Sequence, residues 1–164
     1  MDLPKRKPNR LPHFDYSTPG AYFVTICTKD RKCIFWESVG ASIARPQKPT
    51  LSRRGKIVEA AIRDIPGHYP SITVDHYVVM PNHIHLLLQI NTDEDGRPMV
   101  APTISTVVQQ LKGVVTKQIG QSVWQKRFHD HVIRGEKDYL KIWEYIDTNP
   151  ARWEEDCFYE GDLR

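Results

Sequence analysis

The chain has little with which to build a covalent or membrane scaffold. Of its 164 residues only three are cysteine, Cys27, Cys33 and Cys157. Their number is odd and no two form a C-x-x-C pair, which argues against a disulfide framework and a zinc ribbon and for a reducing, cytoplasmic setting. No apolar run approaches the roughly 18 residues of a spanning helix. The opening MDLPKRKPNRLPHF lacks the apolar block of a signal peptide, so neither export nor membrane insertion is expected. There are no internal repeats. A strong charge of one sign is also missing, since 23 basic and 20 acidic side chains leave +3. The division is uneven, however. Residues 151–164 hold Glu154, Glu155, Asp156, Glu160 and Asp162 against Arg152 and Arg164, a net −3, so residues 1–150 carry +6. A moderately basic body fits a polyanionic partner.

What is present is enough for one domain with a real core, given 40% hydrophobic content. Residues 1–20 read as a basic, proline-rich arm ending in Ser17-Thr18-Pro19-Gly20, with Lys5, Arg6, Lys7 and Arg10 available to phosphates or simply solvated. AYFVTICT (21–28) is aromatic and β-branched and predicts a strand. Residues 36–52, with Pro46 and Pro49, read as a loop. Ile57, Val58, Ala61, Ile62 and Ile65 form a helical stripe over 53–65, stopped by Pro66-Gly67. A strand over 72–80 and a second from His83 flank Pro81-Asn82, a hairpin with a very short turn. A helix over 103–119, with Thr103 or Ser105 as its cap, follows the polar stretch 91–102. His129 to Arg134 suggests a short strand, and EKDYLKIWEYIDT a final helix ending at Asn149-Pro150. The order predicts an α+β sandwich, an antiparallel sheet with helices packed on one face.

The most informative stretch is VDHYVVMPNHIHLLLQI (74–90). His83 and His85 alternate within an apolar run, so both imidazoles leave one face of a strand while Ile84, Leu86, Leu88 and Ile90 anchor the other. A metal fits between two such rings, which need further ligands from protein, water or substrate; two hydrogen-bonded surface histidines would read the same way. On the final helix Tyr139, Ile142, Trp143 and Ile146 share a core-facing stripe, and Tyr145 lies on its flank near Asp138 and Asn149. Tyr139 is therefore read as packing and Tyr145 as the tyrosine free for chemistry. Asn149 precedes a proline and reads either as a ligand or as a C-cap. A metal that polarises a phosphoryl oxygen beside a tyrosine nucleophile would cut a strand while storing the bond on the protein.

VVMPNHIHLLL resembles the H-hydrophobic-H signature of HUH single-strand endonucleases, in the form carried by insertion-sequence single-tyrosine transposases and REP-associated tyrosine transposases. PGAYFVTICT, WQKRFHDHVIR and DYLKIWEYIDTNP resemble the corresponding parts of that family in the same order, so the likeness covers most of residues 14–153. The resemblance implies a domain over 21–153 between the arm and an acidic tail (154–164), with a ferredoxin-like fold. It implies His83 and His85 as metal ligands, Tyr145 as nucleophile and Asn149 as third ligand, where the broader group often has glutamine. It also implies Mg²⁺ or Mn²⁺, cleavage and rejoining of single-stranded or hairpin DNA, a covalent 5′-phosphotyrosine and a freed 3′-hydroxyl.

Other residues are less specific. His76 is expected on the histidine face but off centre, and His129 and His131 in a segment suited to backbone contact or sheet pairing. Arg53, Arg54, Lys56, Lys112, Lys117, Trp124, Lys126, Arg127 and Arg134 are candidates to hold a strand, Trp124 being either a stacking platform or a core residue. Two further functions compete: a non-catalytic nucleic-acid-binding module, and a zinc hydrolase, for which the sequence shows no third strong ligand and no placed general base. The sequence favours neither monomer nor homodimer.

Overall fold

The computed structural model describes residues 10–37 and 50–158. In chain order they form β1 (Gly20–Cys27), a 3-10 turn (Lys29–Arg31), α1 (Arg53–Arg63), α2 (Ile65–His68), β2 (Ile72–Val79), β3 (His83–Ile90), α3 (Ile104–Ile119), β4 (His129–Val132), α4 (Glu136–Thr148) and a 3-10 helix (Asn149–Glu155). Lys5, Arg6 and Lys7 of the arm, most of the 36–52 loop, and Glu160, Asp162 and Arg164 of the tail lie outside the described residues.

The strands lie in the order β2-β3-β1-β4 with every neighbouring pair antiparallel. Because α1 and α2 connect β1 to β2, and α3 connects β3 to β4, the arrangement is ferredoxin-like, as expected. Local chemistry sets the boundaries. The Ser52 hydroxyl caps α1 by accepting from Gly55 N at 3.1 Å, and the Thr103 hydroxyl caps α3 through Thr106 N at 3.3 Å. Gly120, with φ 89°, ends α3 in the left-handed region that glycine tolerates. The single helix expected over 53–65 is instead two, because Pro66 offers no N–H to continue the ladder and starts α2 afresh. Pro81-Asn82 makes the expected two-residue turn, with Met80 N donating to His83 O at 2.8 Å.

Alternation in β3 separates the two faces of the sheet. Ile84, Leu86, Leu88 and Ile90 join Tyr22, Val24 and Ile26 against Val58, Ile62, Val107, Val108, Leu111 and Val115 of α1 and α3. Complete burial of each such aliphatic side chain stabilises the fold by roughly 1.5–3 kcal/mol. His83, His85 and Leu87 point the other way, paired with Cys27, Thr25 and Phe23 of β1.

α4 covers that second face, so the expectation that the helices share one face holds for α1 and α3 and not for α4. There its stripe meets a bulge in β2. The register shifts between Val74, opposite Leu88, and His76, opposite Leu87. Asp75 then accepts from the Tyr139 hydroxyl at 2.8 Å. His76 stacks on Trp143 with ring centroids 4.3 Å apart and meets Asp147 Oδ1 at 2.7 Å. No helix among the described residues is long and apolar enough to cross a membrane.

Candidate metal and tyrosine site

His83 and His85 are the centre of the second face, 0% and 1% exposed. Their Nε2 atoms stand 3.0 Å apart. The other ring nitrogens are fixed by neighbours. Asn82 Nδ2 donates to the carbonyls of Arg31 and Phe158 at 3.2 and 2.8 Å. Its Oδ1 is therefore the atom facing His83 Nδ1 at 2.8 Å, so Nδ1 donates and a neutral His83 keeps its Nε2 lone pair. His85 Nδ1 meets the Thr25 hydroxyl at 2.8 Å. Without a cation, His85 Nε2–H donates to His83 Nε2 and Thr25 donates to His85 Nδ1. To hold a cation, His85 would carry its proton on Nδ1 with Thr25 accepting, leaving the Nε2 lone pairs of both rings free to bind it.

Burial keeps both rings neutral. It lowers His83 to about 4, with Arg31 adding to the shift and Asp156 opposing it. Burial, then the neighbouring His83, takes His85 well below its ordinary range.

The third group is one that the sequence pattern assigns to the acidic tail. Asp156, its side chain fully buried, sets Oδ2 3.8 Å from His83 Nε2. His83, His85 and Asp156 each offer a ligand atom within 4.8 Å of the other two. Asn149, expected as third ligand, is 4% exposed and caps the C-terminus of α4. Its Nδ2 donates to Asp156 Oδ2 at 2.8 Å, while Oδ1 is buried without a partner. These donors fit a divalent cation. A buried carbonyl oxygen without a donor is the atom such an ion would satisfy.

Tyr145 lies on the same face, its ring 5.2 Å from that of His85 and 6.0 Å from Phe23. At 37% exposed it is accessible from solvent. Burial, then the charge of Asp156 and the Cys157 thiol, pushes its phenol up to about 12, while Asn149 draws it back. The phenol is thus protonated near neutrality. Tyr139 is occupied with Asp75 instead, consistent with its reading as a packing residue.

The chain after Asn149 roofs the histidines. Phe158 lies 4.6 Å and Trp153 5.9 Å from His83, ring to ring. Phe158 N donates to Asp156 Oδ1 at 2.8 Å. Sequence reasoning missed Asn82, Thr25 and Asp156. Asn82 read only as a turn residue, Asp156 as one acidic group of the tail, and Thr25 only as part of the first strand, with no sign that this strand lies beside the histidines.

The remaining candidates divide. His76 sits off centre as expected and binds Asp147. His131 pairs with Asp138 at 2.7 Å, and His129 stands opposite Thr25 in the sheet. Lys112 Nζ donates to the carbonyls of Gln125 and Lys126 at 2.7 and 3.4 Å, an internal clamp. Trp124 is 5% exposed and packs on Phe35 at 5.4 Å, so it is a core residue with no face for a base. Arg53, Arg54, Lys126 and Arg127 are exposed.

Comparison with known proteins places relatives beside this geometry. An uncharacterised protein of Haemophilus influenzae is 33% identical over 94% of this chain and 93% of its own length. A second protein of that bacterium, provisionally named a REP-associated tyrosine transposase, is 27% identical over 84% of this chain and 74% of its own. A REP-associated tyrosine transposase of Escherichia coli is 30% identical over 48% of this chain and 44% of its own. Among solved structures, a REP-associated tyrosine transposase bound to a REP hairpin superposes with a TM-score of 0.64 at 22% identity, covering 88% of this chain and 74% of that one. That likeness supports the fold. No family model matches the chain.

Proposed function

We propose that this chain is a REP-associated tyrosine transposase, as the relatives that carry that name suggest, and that it cuts and rejoins hairpin-associated single-stranded DNA through a covalent 5′-phosphotyrosine on Tyr145. The observation that carries the reading is the meeting of an accessible tyrosine with two neutral, lone-pair-bearing histidines on one face, Tyr145 5.2 Å from His85. His83 and His85 would hold Mg²⁺ or Mn²⁺, with Asp156 and the Asn149 carbonyl as further oxygen donors. When bound, the ion would draw charge from the scissile phosphate as a Lewis acid.

The chain's own residues account for the rest. Tyr145 Oη bonds to phosphorus as the bond to the 3′-oxygen breaks, the phenol proton passes to solvent, and the departing oxygen takes up a proton as a 3′-hydroxyl. Rejoining reverses the step: a 3′-hydroxyl attacks phosphorus and Tyr145 is regenerated as a phenol. α4 holds the phenol over the sheet through Asp75 and His76, and Thr25 and Asn82 orient the imidazoles. Since His83 and His85 are almost wholly enclosed, a phosphate reaches them only when the Phe158 ring that covers them moves while Asp156 stays in place. The hairpin in the related complex supplies the substrate shape carried over here.

Asp156 also removes one of the two grounds on which a zinc hydrolase was disfavoured, because it offers a third candidate ligand; the want of a placed general base is the other. One experiment separates the two readings. The protein is incubated with Mn²⁺ and a labelled hairpin oligonucleotide carrying unpaired flanks, then denatured. A DNA-protein adduct and a free 3′-hydroxyl are expected. Tyr145→Phe should abolish the adduct while retaining DNA binding, and Tyr139→Phe should keep it. Cleavage with no adduct in the unmodified protein would favour water as nucleophile.

A further inference from the structure

We infer that the surface on either side of Ser122 docks the double-stranded stem of the DNA hairpin and holds it by phosphates alone; the inference rests on the hairpin reading above. Two recesses of about 420 and 410 Å³ meet at Ser122. The first gathers Lys29 and Lys32 from the 3-10 turn region with Arg54 from the first turn of α1. The second gathers Lys117 of α3 with Lys126, beside the hydroxyls of Thr116 and Ser122. All five cations are exposed. Among the described residues, Asp30 is the one carboxylate lining either recess. Lys112 shapes the second recess by clamping the Gln125 and Lys126 carbonyls.

Charge alone would suit any nucleic acid. The deciding feature is the lack of an exposed ring among the described residues that line the surface. A single strand is gripped by stacking its bases on aromatic faces, at roughly 1–3 kcal/mol per base. Among the described residues lining the two recesses the one aromatic ring is that of Trp124, which is core. A paired stem keeps its bases stacked inward and presents phosphates, which this surface is equipped to bind. Position agrees. Lys29 N donates to Val123 O, and Thr28 N donates to Asn82 O at 2.9 Å, directly before His83. A stem docked here would end close to the histidines, where Tyr145 offers an exposed ring to the unpaired strand.

The test is metal-free DNA binding by fluorescence anisotropy across a salt series, with the full chain and two probes. One is a hairpin with an unpaired 5′ flank, the other the flank alone. The fourfold variant Lys29→Ala/Lys32→Ala/Lys117→Ala/Lys126→Ala, whose side chains are all exposed, should bind the hairpin at least tenfold more weakly. Its log K against log salt should be shallower by roughly 0.9 for each phosphate that the variant no longer neutralises. Affinity for the flank should stay within twofold, and thermal unfolding should be unchanged. Exchanging base pairs within the stem should not alter hairpin affinity. Equal weakening for both probes, no weakening for either, or dependence on stem base identity would overturn the inference. Adduct formation is scored separately. A protein that binds hairpins as described yet forms no adduct leaves this surface standing and removes the catalytic reading.

Discussion

The Tyr139 hydroxyl donates to Asp75 Oδ2 at 2.8 Å, tying the first half of α4 to the bulge of β2. One step along the bulge, His76 meets Asp147 at 2.7 Å and ties down the second half. Tyr145 lies between the two attachments, so its aim depends on both. The pair Asp75→Ala/His76→Ala should loosen α4 without touching either metal-site histidine. Adduct formation is expected to fall roughly tenfold, equivalent to about 1.4 kcal/mol of transition-state stabilisation. Hairpin affinity should hold. Unchanged adduct rates in single-turnover assays would show that α4 is positioned by other contacts.

Thr25 acts on the cation through His85. The Thr25 hydroxyl is the partner given to His85 Nδ1, and an outer partner of a ligating imidazole commonly contributes 10–100-fold in metal affinity. Thr25→Val keeps the β-branched shape and removes the hydroxyl. Calorimetric titration with Mn²⁺ should show weakening of about that size, with the far-ultraviolet spectrum unchanged. Full affinity in the valine variant would mean that packing against Phe23, 5.1 Å away, is enough to orient the ring.

The buried histidines also give the metal-free protein a pH dependence. Burial lowers His83 from 6.5 to about 4, so between those values the unfolded chain takes up a proton that the folded chain refuses. The His83 contribution to stability is then fully present above pH 6.5, declines as pH falls, and levels off below about 4. A shift of this size corresponds to about 3 kcal/mol, and His85 adds in the same direction. Urea unfolding of chelator-treated protein should show the decline, flattened in His83→Gln. Stability that rises on acidification would contradict neutral, enclosed rings.

How much of this was legible in the sequence follows from the range of each signal. Period-two alternation is local, and it located His83, His85 and their buried counterparts in β3. The helical period separated Tyr139 from Tyr145 in the same way. Long-range burial leaves no local trace. Asp156 sits beside Glu154 and Glu155 in what reads as an acidic tail, and only the turn after Asn149 carries it to the histidines. Lys112 reads as a surface cation because nothing in the helix betrays the Gln125 carbonyl that it binds. For Trp124 the core reading was the correct one of the two, decided by its contact with Phe35. The β2 bulge that presents Asp75 and His76 to α4 was hidden too, because strand periodicity does not reveal a bulge.

Asp156 is the residue whose substitution tests the site most sharply. Its carboxylate is enclosed, accepts from Asn149 at 2.8 Å and stands 3.8 Å from His83 Nε2. Asp156→Asn preserves shape, and the new amide oxygen can still accept from Asn149, so the change removes chiefly the negative charge. If that charge helps hold the cation, Mn²⁺ affinity should drop at least tenfold, or about 1.4 kcal/mol. The Tyr145 phenol, raised first by burial and next by Asp156, should titrate lower, as read from the ultraviolet absorbance change that Tyr145→Phe removes. The two readouts separate the roles. Weaker metal binding with a lowered phenol places the carboxylate in the working site. Unaltered Mn²⁺ affinity would instead confine Asp156 to holding the Trp153–Phe158 segment over the histidines.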